Sequence, residues 1–238
     1  MRQDGLPLFV LGPDFFPGFT GTLRVFEPRY KQMMDDCIMD SRPFGYISAD
    51  PSKGELNGWS QPSDHGVLCY VRDYEESGSN LIIEVEATAA FTVKDVIQPV
   101  LPSLVDGERF PGVEELMAEA GNPEGGKLYL RGNVEVLSPP DVDYDDEAFT
   151  TFLGLLAPAR QILQMSSMYK GQILEFKELE DYDDDLDRAD LVWKVCCALC
   201  YDVYLQQEML SQTSFSALME VCTSRVVEIL VRMGEEQV

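Results

Sequence analysis

The spacing of apolar side chains changes period near residue 140, and that change requires a chain built in two different parts. Up to about Leu137 the pattern is strand-like: short apolar or alternating runs separated by turn residues. From about Glu147 onward apolar residues recur every three or four positions, the helical period. Ser138-Pro139-Pro140 stands between the two regimes and stops the last strand, as a linker does. The reading is therefore an α+β chain, with a β-rich subdomain over 1–138 and a helical subdomain over 139–238.

In the first part, the runs Leu6–Leu11, Gly66–Arg72, Asn80–Glu86 and Phe91–Ile97 read as strands. Ser77-Gly78-Ser79 turns the second into the third as a hairpin. One helix is expected over Pro28–Met39, with Tyr30, Met33, Met34, Cys37 and Ile38 on one face and proline in the first turn. Residues 99–127 read as an insertion, rich in proline and glycine, with a short helix over Val113–Ala120; Leu128–Leu137 then returns as the last strand. In the second part three helices are expected, Phe149–Met168, Leu191–Leu205 and Ser214–Met233. Phe215, Leu218, Cys222, Val226, Ile229 and Met233 form one stripe of the third. The acidic stretch Glu175–Asp190 is expected to be a surface loop.

Charge narrows the partners. Eighteen Lys and Arg against 42 Asp and Glu leave −24 on 238 residues, with 11 basic and 22 acidic side chains in 1–137 and 7 and 20 in the remainder. Such a field repels phosphate backbones, and no basic cluster relieves it locally, so no nucleic acid is expected. No uncharged apolar run reaches the roughly 18 residues of a membrane span. The six cysteines lie in apolar contexts at uneven spacing and read as reduced, buried thiols of an intracellular, soluble protein.

The opening block carries a specific signature. Pro7-Leu8-Phe9, Phe16-Pro17-Gly18, Phe26-Glu27-Pro28-Arg29-Tyr30 and Phe44-Gly45, followed by the strand pattern from Gly66 to Val93, strongly resemble the N-terminal, substrate-binding domain of Lon proteases. Ala90-Phe91 departs slightly from that pattern, where Arg-Phe is common. The resemblance implies a PUA-like β pseudo-barrel followed by a helical bundle. It also implies that Pro7, Leu8, Phe9, Pro17, Gly18, Phe26, Glu27, Arg29, Tyr30, Phe44 and Gly45 chiefly shape the fold. At the helix start Glu27 is expected to face free amide groups, and Arg29 to pair with a carboxylate.

Motifs with chemical potential fail on their context. Gly121–Lys127 fits G-x-x-x-x-G-K, but a helix precedes it, a strand follows, and Leu128 replaces the magnesium-binding Ser or Thr. Cys197-Ala198-Leu199-Cys200 lies within an apolar helix with no second pair to complete a zinc tetrahedron. His65, the only histidine, follows Pro62-Ser63-Asp64 in what reads as a polar turn and lacks a nucleophile elbow. Asp141–Asp145 begins like a calcium loop but has Asp146 and Phe152 where glycine and glutamate are required. Asp183, Asp184, Asp185 and Asp187 form a second acidic run without ligand spacing.

No catalytic residue, metal or cofactor is therefore expected. Together with that absence, the resemblance to the Lon substrate-binding domain implies a non-catalytic module that recognises polypeptide segments or clients, as adaptor to a separate protease or chaperone. The alternative is a stoichiometric subunit or assembly factor docked on a larger complex, in the cytoplasm or an organelle matrix such as the plastid stroma. Phe15, Phe16, Phe19 and Trp59 are the aromatic residues expected to contact protein.

Overall fold

A computed structural model describes residues 1–102, 111–177, 181–182 and 185–235, with side chains to 233. Two compact units emerge, Met1–Leu137 and Ser138–Val238.

Among the described residues the first unit has eight strands: β1 (Arg2–Leu11), β2 (Thr20–Val25), β3 (Phe44–Ala49), β4 (Glu55–Leu56), β5 (Trp59–Ser60), β6 (Pro62–Ser77), β7 (Asn80–Ile97) and β8 (Arg131–Val136). The main sheet runs β2-β7-β6-β3-β1-β8, and β8 also pairs with β7, so five strands close into a ring with β2 appended. Only β1 and β3 run parallel; the other pairings are antiparallel. Gly78, at φ 62°, makes the turn of the long β6–β7 hairpin. The two strand runs read separately in 80–97 are one bent strand. It gives one edge first to β2 and then to β8, with a register shift between Val93 and Asp95.

Inside the ring Leu6, Leu8, Ile47, Trp59, Leu68, Phe91, Leu130 and Val134 form the core. Phe91 is the wedge: a β-carbon on Gly66 would stand 2.5 Å from its ring, and one on Gly45 2.7 Å. Glycine at both positions is thus what admits the ring. Helix α1 (Pro28–Met39) buries Tyr30, Met33, Met34 and Cys37. The 99–127 segment contains α2 (Val113–Glu119), and its exit, Lys127 to Tyr129, is tied to α1 through polar contacts. Lys127 Nζ lies 2.7 Å from Asp36, the Leu128 amide donates to Gln32, and the buried Tyr129 hydroxyl donates to Asp36 at 2.5 Å while accepting from Arg42. Burial, then the Asp36 carboxylate, push the Tyr129 phenol far up, so it remains a donor.

The second unit is helical: α3 (Asp146–Leu156), a 3-10 turn (Ala157–Ala159), α4 (Arg160–Tyr169), α5 (Asp185–Leu199), α6 (Val203–Leu210) and α7 (Phe215–Glu235). Pro158 divides the helix expected over 149–168 into α3 and α4. The helix expected over 191–205 breaks at Cys200–Asp202, where Asp202 caps α6 by accepting from the Leu205 amide at 2.9 Å. Conversely α5 begins at Asp185, so the end of the expected acidic loop is helix, its carboxylates suited to the positive end of the dipole. Asp183 and Asp184 lie outside the described residues. From Leu191 to Leu199 every residue but Lys194 is buried, which makes α5 the core helix of the unit.

Candidate protein-binding surface

Helix α4 begins with the ordinary polarity, Leu163 buried and Gln161 and Gln164 exposed, but from Met165 to Tyr169 it is amphipathic in the wrong sense. Its inner face carries Ser166 and Ser167 beside Leu163, all buried. Its outer face carries Met165, Met168 and Tyr169, at i, i+3 and i+4, exposed by 51%, 70% and 84%. Gly171, at φ 73°, ends the turn that follows, and Ile173 beyond it is also exposed.

The inward serines have a structural task. The last carbonyls of α5 have no partner within that helix. Ser166 Oγ donates to the Ala198 carbonyl at 2.6 Å and also meets the Tyr201 hydroxyl, while Lys170 Nζ reaches the Cys200 carbonyl. Ser167 Oγ donates to the Gln172 carbonyl at 3.0 Å and closes the turn. Polar side chains are thus spent on capping α5, and large apolar ones are left outside. The Lys170 ammonium stands 5.0 Å from the Tyr201 ring, itself exposed. Met165, Met168, Tyr169, Ile173 and Tyr201 carry no charge, and methionine adapts its shape to varied apolar partners.

Two clefts flank α7. One, of about 660 Å³, lies between α3 and α7, with Phe152, Leu155 and Met219 among its lining and Asp145, Glu147 and Glu220 around it. The other, of about 600 Å³, lies between α6 and α7 and shares Glu220 and Ser224 with the first. In the β-rich unit a smaller pocket of about 250 Å³ is lined by Cys37, Arg42, Tyr70, Arg72 and Tyr74. Its guanidinium groups are already engaged, Arg42 by Tyr129 and Arg72 by Glu86.

The aromatic residues expected at a contact surface are placed elsewhere. Phe15, Phe16, Phe19 and Trp59 are all buried. Pro17-Gly18 curls the β1–β2 loop back, with the Gly18 amide donating to Ala87, so that Phe15 stacks between Phe19 and Tyr46 at 3.9 Å from each. Trp59 donates its ring N–H to the Leu101 carbonyl and takes the Arg29 guanidinium on its face at 4.4 Å.

Among the motif residues, Pro7, Leu8, Phe9, Tyr30, Phe44 and Gly45 are buried, Pro17 is half-buried and Gly18 takes φ 83°, while Phe26 is exposed. Glu27 occupies the N-cap position of α1 but makes no side-chain cap; its carboxylate instead accepts from Arg29 Nε at 2.7 Å. Arg29 has thus paired with its own neighbour, and its guanidinium also lies 4.4 Å from the Tyr30 ring.

His65 lies within β6 opposite Thr92 rather than in a turn. Gly121–Lys127 is a turn, with Gly121, Asn122 and Gly125 at positive φ. Asp143 and Asp145 are helix caps. Asp143 accepts from the Ser216 amide at the start of α7, and Asp145 from the Ala148 amide at the start of α3. Among the described residues no group of three or more His, Cys, Asp or Glu could hold a metal ion. All six cysteines are free and buried. Burial pushes the Cys37 and Cys200 thiols up to about 12 and raises Cys69 and Cys196 well above the ordinary thiol value, so these four are not thiolates at neutral pH.

No helix among the described residues is long and apolar enough to cross a membrane. Comparison with solved structures finds the fold in the Lon N-terminal domain protein from Xanthomonas campestris. It is 17% identical, with a TM-score of 0.54, over 95% of this chain and 97% of that one. The N-terminal domain of Mycobacterium avium complex Lon protease matches at 12% identity and a TM-score of 0.56, over 94% and 98%. A search among curated proteins gave no match. The family model for the substrate-binding domain of the ATP-dependent protease La (LON) matches residues 5–228, and the chain belongs to that family.

Proposed function

We propose that the protein is a non-catalytic recognition module that captures exposed apolar segments of other polypeptides on the outer face of α4. The observation that carries the reading is the inverted amphipathicity of the last part of that helix, with Ser166 and Ser167 inward and Met165, Met168 and Tyr169 outward. Exposed apolar residues grouped on one face are characteristic of surfaces that bind protein. Methionines suit clients of varied sequence because they repack at low cost. Family membership supports the same class of role.

The test uses the full chain with Met165, Met168 and Tyr169 all changed to serine. Fluorescence anisotropy with a labelled, permanently unfolded client protein is expected to show saturable binding by the wild type. The triple variant, with unaltered circular dichroism, should bind about tenfold more weakly or worse. Binding unchanged in the variant, or no saturable binding by the wild type, overturns the proposal. Recovery from the native source of one partner at fixed stoichiometry, held through other residues, would instead mark a docked subunit of a larger assembly.

A further inference from the structure

The cleft between α3 and α7 has a chemistry unlike the α4 face. Both helices start from one anchor, because Asp143 holds the first turn of α7 and Asp145 caps α3. From there Asp145 with α3 as far as Leu155, and residues 216–224 of α7, supply the two walls. Leu155 is about half exposed, whereas Phe152 and Met219, which line the same cleft, are buried. The charged residues of the lining are Asp145, Glu147 and Glu220, and no lysine or arginine is among them. Neighbouring acids are already matched: Asp146 by Arg188 at 2.8 Å, and Glu228 by Arg225 at 2.8 Å. Glu147 and Glu220 form no ion pair with any described residue.

We propose that this cleft receives a short amphipathic helix of a partner protein, with its apolar face on Leu155, Phe152 and Met219 and its lysines or arginines against Glu147, Glu220 and Asp145. Charge complementarity selects the occupant. An apolar floor between the Glu147 and Glu220 carboxylates, which have no ion-pair partner among the described residues, rejects acidic or phosphorylated segments and favours one that is basic on its flanks. A groove walled by two helices presents no open strand edge, so the mode of entry is a helix laid in a groove rather than an added strand. The 11 residues of α3 span about 16 Å, so the bound element is about three turns long. This surface does not depend on the reading of α4, and the two can fail separately.

The probe is a fluorescein-labelled peptide of about 14 residues, with leucines at i, i+3 and i+4 spacing and lysines on both flanks. Controls are the same peptide with glutamate for lysine and a scramble with no apolar face. The full chain is expected to bind the basic amphipathic peptide saturably, and more weakly by about tenfold when NaCl rises from about 50 to about 500 mM. The pair Glu147→Lys with Glu220→Lys, and separately Leu155→Asp, should each weaken binding by about tenfold or more. The serine triple variant of α4 should leave it unchanged. All these positions are solvent-exposed, and circular dichroism checks that each variant folds.

Equal binding of the scrambled peptide would reduce the effect to bulk charge and overturn the proposal. Unchanged affinity in the charge-reversed pair would overturn it as well. If the unfolded client still binds through α4 while the basic peptide does not, the cleft inference alone falls.

Discussion

Asp143 shows how a residue that resembles a metal ligand in sequence is used by the fold. Its carboxylate accepts from the Ser216 amide at 2.9 Å, and that hydrogen bond, before any other influence, holds its pKa below the ordinary aspartate value. A carboxyl group lowered in the folded state stabilises above its unfolded pKa, and that contribution is lost as pH falls through the folded value. The melting temperature of Asp143→Ala should therefore lie below that of the wild type by a constant amount at neutral pH. The gap should narrow once the pH drops under about 3.9, the reference value for aspartate. A thermal series from neutral to acid pH checks this, and a gap that widens toward acid would contradict the capping role. The surrounding Asp141–Asp145 stretch belongs to the same joint: the Asp141 amide donates to Thr213, and its carbonyl accepts from Phe215.

At the level of elements, the β6–β7 hairpin and its neighbours depend on Phe91 resting over bare backbone. Gly66→Ala would drive a methyl group to 2.5 Å from that ring and 2.8 Å from the Tyr46 carbonyl, both inside van der Waals contact. Overpacking of this kind costs about 1–3 kcal/mol, to be read from the urea midpoint at unchanged m-value. A change within error would mean that the ring has room to move.

Much of this architecture was legible in the sequence, since turn chemistry marks the hairpin and a single apolar stripe marks α7. Strand β3 was not, because Phe44–Ser48 is buried on both faces and so shows no alternation. Helix ends within the second unit were obscured where Pro158 and Asp202 interrupt otherwise continuous apolar patterns. The α4 face was hidden for a better reason. Its serines serve the carbonyls of another helix, a pairing 32 residues distant that no local period records. The aromatic residues of the β1–β2 loop misled in the opposite direction, because three phenylalanines beside Pro17-Gly18 look exposed until the loop folds onto Tyr46.

At the scale of the whole molecule the excess of acid dominates. With −24 spread over both units, self-repulsion opposes the compact state, and salt screens it. Raising NaCl from about 20 to about 300 mM is expected to stabilise the protein by about 1 kcal/mol, or about 2–4 °C in melting temperature. Scanning calorimetry across that range checks it, and a flat or falling trend would mean that local ion pairs outweigh the global field. The closed ring of strands has a consequence for synthesis. Strand β8 completes the ring between β1 and β7, and it follows β7 by 33 residues. At a translation rate of about 5–20 residues per second, the nascent chain carries two bare strand edges for roughly 2–7 s before the closing strand is made. A ribosome stalled with β7 outside and β8 still within the exit tunnel would hold the protein in its most adhesive form, and that window is where a chaperone has the most to protect.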